Sequence, residues 1–312
     1  MKKRTLSHWA AFFAVIVLVI ISCIILKIDP GYFWQRSAHL GDIISEMIPP
    51  DWSYTGKVLP ALLATIQMSV TGTVLGSLLA ILFAPLCAAD CGFPKWLRGI
   101  FKFLIQITRS FPALILALAA TFVFGLGTFA GTAALTVYTF AIMTRLTYED
   151  VESMPRPAYT ALRTMGCTRY RAYLKGIVPE IASTYLTNML YMLESNIRQS
   201  AILGYVGAGG IGLLLNEKMS WRDYAKAGTI LLLLLAAVCL IEWISHVLAQ
   251  IVRRELRVGR TGRRIIIIVS AAMFLFCTLT LSPPDFSHTS LTVISNMFAG
   301  FVHPDLAFMT DL

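Results

Sequence analysis

Long apolar blocks separated by short polar stretches dominate the pattern along the chain. Six blocks reach spanning length, at residues 9–26, 59–88, 104–124, 128–147, 181–206 and 226–251, and a seventh, 265–281, is shorter but unbroken. A helix that crosses a bilayer needs about 20 mostly apolar residues. Lipid offers backbone N–H and C=O groups no partner outside the segment, so each block must be a helix or part of a closed barrel. The runs are continuous and do not alternate, which excludes the barrel. The pattern therefore predicts an all-α polytopic membrane protein with six spans.

The polar stretches set the predicted organisation. Residues 1–58 hold the first span and an outward loop with Pro30, Pro49 and Pro50; 59–251 form the core; 252–264 are a basic linker; 265–312 carry an extra span and an outward tail. A shift of 254 residues places Cys23, Pro30, Pro50 and Asp51 on Cys277, Pro284, Pro304 and Asp305, with Tyr32 on Phe286 and Ile48 on Val302. The tail thus reads as a truncated repeat of the N-terminus. In the second block, Thr71, Gly72, Thr73, Gly76 and Ser77 allow close helix approach, within one subunit or at a dimer seam.

Composition agrees with the membrane class: 57% of the 312 residues are hydrophobic and 14% charged, against about 25% charged in soluble domains. The formal charge of +9 does not require nucleic acid, because its distribution sets topology. With the N-terminus cytoplasmic, Lys2, Lys3 and Arg4, then Lys95, Arg98, Lys102 and Arg109, fall on the inner side. So do Arg145, Arg156, Arg163, Arg169, Arg171 and Lys175, and finally Arg253 to Arg264. That bias follows the positive-inside rule with every span alternating. Met-Lys-Lys-Arg before an apolar run is also the pattern of a signal peptide, but an uncleaved first helix is the simpler reading. The six cysteines form no disulfide framework and none pairs with histidine at metal spacing.

One polar stretch stands out, residues 148–179. Pro155 and Pro157 stop the fourth span, and Pro157 suits the first turn of a new short helix. Ala158 to Met165 is helix-compatible, Gly166 is placed as its left-handed cap, and Thr168 can N-cap a second helix over Arg169–Ile177. Pro179 then bends the chain into the fifth span. A plain amphipathic surface helix explains the charges but not the break. This helix-Gly-helix segment resembles the coupling loop of ABC importer permeases, whose pattern is Glu-Ala-Ala, three residues, Gly, nine residues, then Ile-x-Leu-Pro. Here Thr160-Ala161-Leu162 precede Gly166 by the same spacing, and Gly176-Ile177-Val178-Pro179 follow. Thr160 stands where the family has its acid. The resemblance implies that the segment inserts into a groove on an ATP-binding subunit.

A second stretch, Glu194-Ser195-Asn196-Ile197-Arg198-Gln199-Ser200-Ala201-Ile202-Leu203-Gly204-Tyr205-Val206-Gly207-Ala208-Gly209-Gly210-Ile211-Gly212, resembles the fifth span of the phosphonate or phosphite-type permeases. Thr108-Arg109-Ser110-Phe111-Pro112 resembles the Arg-x-x-Pro start of their third span. Gly207, Gly209 and Gly212 also satisfy Gly-x-Gly-x-x-Gly, but that fingerprint needs a preceding strand, and here a span precedes it. These residues, with Gly210, are expected to let the backbone turn sharply at the outer mouth of the pathway. Glu194 and Arg198, one turn apart, can neutralise each other. Alternatively they line the pathway with Asn196, as intramembrane charges commonly do, and a guanidinium suits a tetrahedral oxyanion.

The resemblance implies a six-span type I ABC importer transmembrane domain plus the start of a second copy. It also implies a permease in the bacterial inner membrane carrying phosphonate or a related small phosphorus oxyanion. Phosphate, methionine or an osmolyte are the alternatives on the same architecture. The expected partners are a cytosolic ATP-binding subunit dimer, an extracytoplasmic substrate-binding protein and a second permease unit forming a homodimer. No catalytic residue, metal or cofactor is expected, and no Gly-x-x-x-x-Gly-Lys-Ser/Thr occurs, so ATP falls to a partner chain. An integral-membrane transferase would need nucleophile, base or metal ligands converging at one depth. The five histidines are dispersed, and only His246, beside Glu242, falls inside a span.

Overall fold

A computed structural model describes residues 2–26, 30–89 and 91–253. The linker beyond Arg253, the apolar block 265–281 and the tail that matches the N-terminus lie outside the described residues. The chain divides into two units, Met1–Pro50 and Asp51–Leu312. The first holds α1 (Lys2–Ile25), which includes the apolar stretch Phe12–Ile25, and α2 (Pro30–Glu46).

In the second unit, a turn of 3-10 helix (Trp52–Tyr54) leads into α3 (Thr55–Cys87). Then come α4 (Lys95–Ser110), α5 (Ala113–Phe124), α6 (Thr128–Ser153), α7 (Pro157–Thr164), α8 (Arg169–Ala172), α9 (Val178–Leu203), α10 (Ile211–Ser220) and α11 (Tyr224–Val252). No strand occurs among the described residues. By length and composition α3, with its leading turn, α6 and α11 are each able to cross a membrane. The 26 residues of α9 are equally long but too polar to pass as apolar, because much of the helix is covered by α3, α6 and α11. Protein and not lipid meets its buried polar side chains, Asn196 and Ser200 among them, while Arg198 stays half exposed.

The block at 104–124 is not one straight helix. α4 and α5 meet at 93° across Phe111-Pro112. Proline lacks the N–H that a continuous helix needs and forces the preceding residue out of the helical region; Phe111 sits at φ −82°, ψ 126°. The 12 residues of α5 make a helix about 18 Å long, short of the ~30 Å hydrocarbon core.

α3 and α6 run side by side in the same direction and form the centre of the unit. Small residues set their separation: a Cβ on Gly76 would lie 2.6 Å from the Thr136 carbonyl oxygen, and one on Gly72 2.7 Å from Leu135 Cβ. Met68, Leu135, Ala117, Ala134 and Leu203 pack around this contact. At the end where α3 begins, Ser53 N–H and Oγ–H donate to Asp51 Oδ1 at 3.1 and 2.6 Å, and the Ser53 hydroxyl holds that carboxyl below its usual range. Thr229 Oγ1 donates to the Asp51 carbonyl at 2.9 Å and ties α11 to the start of α3.

Candidate functional site

The segment between α6 and α9 is built from helix-end chemistry. Pro157 occupies the first turn of α7, where its missing N–H has no partner to lose. At the other end, Cys167 N–H donates to the Leu162 carbonyl and Gly166 N–H to the Arg163 carbonyl, both at 3.1 Å, the paired bonds of a Schellman cap. Gly166 takes φ +88° with open space where a Cβ would project, so backbone conformation and not packing demands glycine there. Thr168 Oγ1 accepts from Arg171 N–H at 3.4 Å and caps α8. A π-type turn, Tyr173–Ile177, and Pro179 then lead into α9.

One side of this segment is anchored. Tyr173 and Ile177 pack with Ala88, Cys91, Val151 and Ile181, and burial pushes the Tyr173 phenol up. Gly176 lets α7 lie close, a Cβ there being 3.0 Å from Tyr159 Cα. The other side is free: Thr160, Ala161, Gly166 and Pro179 are exposed and Leu162 half-buried, while Met165 projects 79% exposed at the tip. Thr160 Oγ1 donates to the Arg156 carbonyl at 2.9 Å. Thr160, Ala161, Leu162 and Gly166 therefore share one anchored surface element, with Pro179 in the first turn of α9 where the chain leaves it, and Met165 projects beside them although the sequence pattern assigns it no role.

The three polar residues of α9 lie on two faces. Arg198 Nη1 pairs with Glu194 Oε1 at 2.7 Å, the arginine side chain half exposed and the glutamate side chain mostly covered. Glu194 lines a pocket of about 380 Å³ with Tyr191, Glu242 and His246 between α9 and α11. Asn196 points the other way and is fully buried. Its Nδ2 donates to Thr73 Oγ1 at 2.8 Å and to Thr139 Oγ1 at 2.7 Å, joining α9 to α3 and α6. Ser69 Oγ donates to Ser200 Oγ at 3.0 Å one turn away. Asn196 Oδ1, Thr71 Oγ1 and Ser77 Oγ are buried without a partner. A larger pocket of about 620 Å³ opens between α3, α9 and the surface segment, lined by Ser77, Pro85, Phe93, Tyr173, Tyr185 and Met189 among others.

Beyond α9 the glycine stretch turns the chain back. A 3-10 turn, Gly204–Val206, is followed by Gly207, Gly209 and Gly210 at left-handed φ. Gly212 sits where a Cβ would be 2.0 Å from the Ala201 carbonyl oxygen, so α10 crosses the end of α9 at backbone contact. Ile211 N–H donates to Thr65 Oγ1 at 2.8 Å and Gly127 N–H to the Gly207 carbonyl at 3.0 Å, fixing the turn to α3 and to the start of α6.

The family model described as binding-protein-dependent transport system inner membrane component matches residues 72–258, from the middle of α3 through the end of α11. The chain belongs to that family. It is a multi-pass inner-membrane permease subunit of an ABC importer, a transport component and not an enzyme, whose partners are an ATP-binding subunit and a substrate-binding protein. The phosphite transport system permease protein PtxC of Stutzerimonas stutzeri is 28% identical over 248 residues, 79% of this chain and 89% of that protein. The phosphate-import permease protein PhnE of Mycolicibacterium smegmatis is 29% identical over 223 residues, 71% of this chain and 42% of that one. Among solved structures, an inward-facing MetNI methionine ABC transporter matches with TM-score 0.57 at 21% identity, over 65% of this permease and 99% of that chain. That likeness establishes the fold.

The permease's buried seam is the part least visible in the sequence. Thr65, Ser69, Thr73 and Ser77 recur every four residues on α3, a hydroxyl stripe on one helix face. That signal, set beside Asn196 and Ser200 at the same spacing on α9, could have identified the contact.

Proposed function

We propose that this permease carries a small phosphorus oxyanion, phosphite or a phosphonate, delivered by its binding protein and released to the side on which the α7–α8 segment lies. The observation that carries the substrate class is the likeness to a phosphite permease along most of both chains. The Glu194–Arg198 face supports it: a guanidinium with one nitrogen on Glu194 retains further N–H donors for a tetrahedral anion. Asn196 serves this site indirectly by holding α9 against its neighbours.

The α7–α8 segment, with Thr160, Ala161, Leu162, Gly166 and Pro179, docks on the ATP-binding subunit. α6 leads directly into it and α9 leads directly out of it, so a displacement at the dock reaches two of the three helices that Asn196 joins. Lys95, Arg98, Arg163, Arg169 and Arg171 belong to this end; by the positive-inside rule it faces the cytoplasm, and the N-terminus with it. Gly207, Gly209, Gly210 and Gly212 then shape the outer mouth. The pathway is completed by a second copy of the permease, and this chain binds no cofactor of its own.

The test is ATP hydrolysis by the reconstituted complex in the presence of loaded binding protein. Stimulation by phosphite- or phosphonate-loaded protein and not by the methionine-loaded form is expected. Stimulation by an unrelated ligand alone would replace the substrate class while leaving the permease intact.

A further inference from the structure

The apolar pattern predicts that a span begins at residue 104, within α4, yet α4 turns 93° from α5 and packs on α6 and α3, with Phe101 beside Phe83 of α3. Lys102 Nζ reaches Glu152, near the end of α6, at 2.9 Å and sits 4.4 Å from the centre of the Tyr148 ring. The sixteen residues of α4, Lys-Trp-Leu-Arg-Gly-Ile-Phe-Lys-Phe-Leu-Ile-Gln-Ile-Thr-Arg-Ser, contain four basic side chains and no acid.

Its apolar and basic residues sort into three sectors. On a wheel with about 100° per residue, Trp96, Ile100, Phe103, Leu104 and Ile107 occupy one arc of roughly 100°. All five are exposed, Trp96 by 67% and Phe103 by 65%. The adjoining arc, with Leu97, Phe101 and Ile105, is covered or partly covered by the protein. Lys95, Arg98, Lys102 and Arg109 fall in a third arc about 60° wide, centred roughly 150° from the exposed apolar one. A helix that crossed the bilayer would have no use for a basic stripe along its whole length. A helix lying in the interface would place the apolar arc among acyl chains and the basic arc among headgroups.

We propose that α4 is an interfacial helix that binds the phosphate headgroups of anionic lipids in the leaflet facing the α7–α8 segment. Charge complementarity selects the occupant: the arc offers four cations, of which Lys102 is shared with Glu152, and the leaflet supplies the anions. Because Lys102 also grips the end of α6, the lipid layer holds the base on which the docking segment stands.

The test uses the full permease with its ATP-binding partner in phosphatidylcholine vesicles carrying a trace of spin-labelled lipid. The wild-type complex is expected to immobilise labelled phosphatidylglycerol in preference to labelled phosphatidylcholine. In Lys95→Gln/Arg98→Gln/Arg109→Gln that preference falls several-fold, up to roughly fivefold per removed charge, while Lys57→Gln/Arg222→Gln at the opposite end leaves it unchanged. A preference retained by the triple variant, or absent from the wild type, overturns the proposal. Independently of that variant's assembly, nitroxides placed singly at Trp96, Ile100, Phe103 and Ile107 are expected to report one shallow depth. Depth that increases steadily along the four positions would mean a crossing helix, and protection of all four from both lipid and water would mean a protein partner covers the face; either result overturns the proposal.

Discussion

Asn196 Nδ2 donates to Thr73 Oγ1 at 2.8 Å across a separation of 123 residues, and the same amide reaches Thr139 at 2.7 Å. One buried side chain thus holds three helices. Interhelical hydrogen bonds in membranes are worth about 0.6 kcal/mol on average, and leaving buried partners unmet adds to the loss. Asn196→Ala is therefore expected to cost about 1–3 kcal/mol, read as a lowered Tm of the purified complex with its ATP-binding subunit. An unchanged Tm would show that the seam does not hold the three helices together.

Gly166 separates conformation from packing. Its φ is +88° and a Cβ placed on it would meet nothing within 4 Å, so asparagine, which tolerates left-handed backbone, should leave uptake near wild type. Gly166→Val meets a left-handed penalty of about 1–2 kcal/mol and is expected to uncouple ATP hydrolysis from uptake without changing membrane insertion. Equal behaviour of the two variants would contradict the cap's role.

Gly212 is the opposite case. A methyl there collides with the Ala201 carbonyl, and the overpacking is expected to cost about 1–3 kcal/mol or more, seen as a loss of folded permease from the membrane. Gly99, with nothing within 4 Å in the middle of α4, should accept alanine with a gain of about 0.5–1 kcal/mol. If Gly212→Ala accumulates normally, α10 does not cross α9 at backbone contact.

Arg198 carries the substrate argument at residue level. One i,i+4 pair contributes a few tenths of a kcal/mol to a helix, about 0.2–0.5, so Arg198→Ala should barely move Tm. A lost charge-assisted contact to an oxyanion, about 1.5–3 kcal/mol, should cut uptake by roughly tenfold or more. Parallel loss of stability and uptake would make the pair purely structural.

The sequence exposes much of this fold because lipid makes hydropathy a strong constraint. Five of the six long apolar blocks fall on the single helices α1, α3, α6, α9 and α11, and the surface segment is legible down to its cap, since Pro157, Gly166 and Thr168 each act on the backbone within a few residues of themselves. The bend at Phe111-Pro112 is less legible: the Arg-x-x-Pro match marks Pro112 as the start of a span, but averaging apolar residues over 104–124 hides that two helices meet there at 93°. The division of α9 is hidden too. Glu194, Asn196 and Arg198 are neighbours in sequence, but helical geometry sends Asn196 to the opposite face, and Thr73 and Thr139 come from helices remote in the chain.

Transport of a phosphorus oxyanion is tested most directly by ATP-dependent accumulation of a labelled phosphonate in vesicles holding this permease, its ATP-binding subunit and its binding protein. Saturable accumulation that needs hydrolysable ATP and is competed by phosphite but not by methionine is the expected result. An intact complex that accumulates methionine, or accumulates neither ligand above the level seen without hydrolysable ATP, would contradict it.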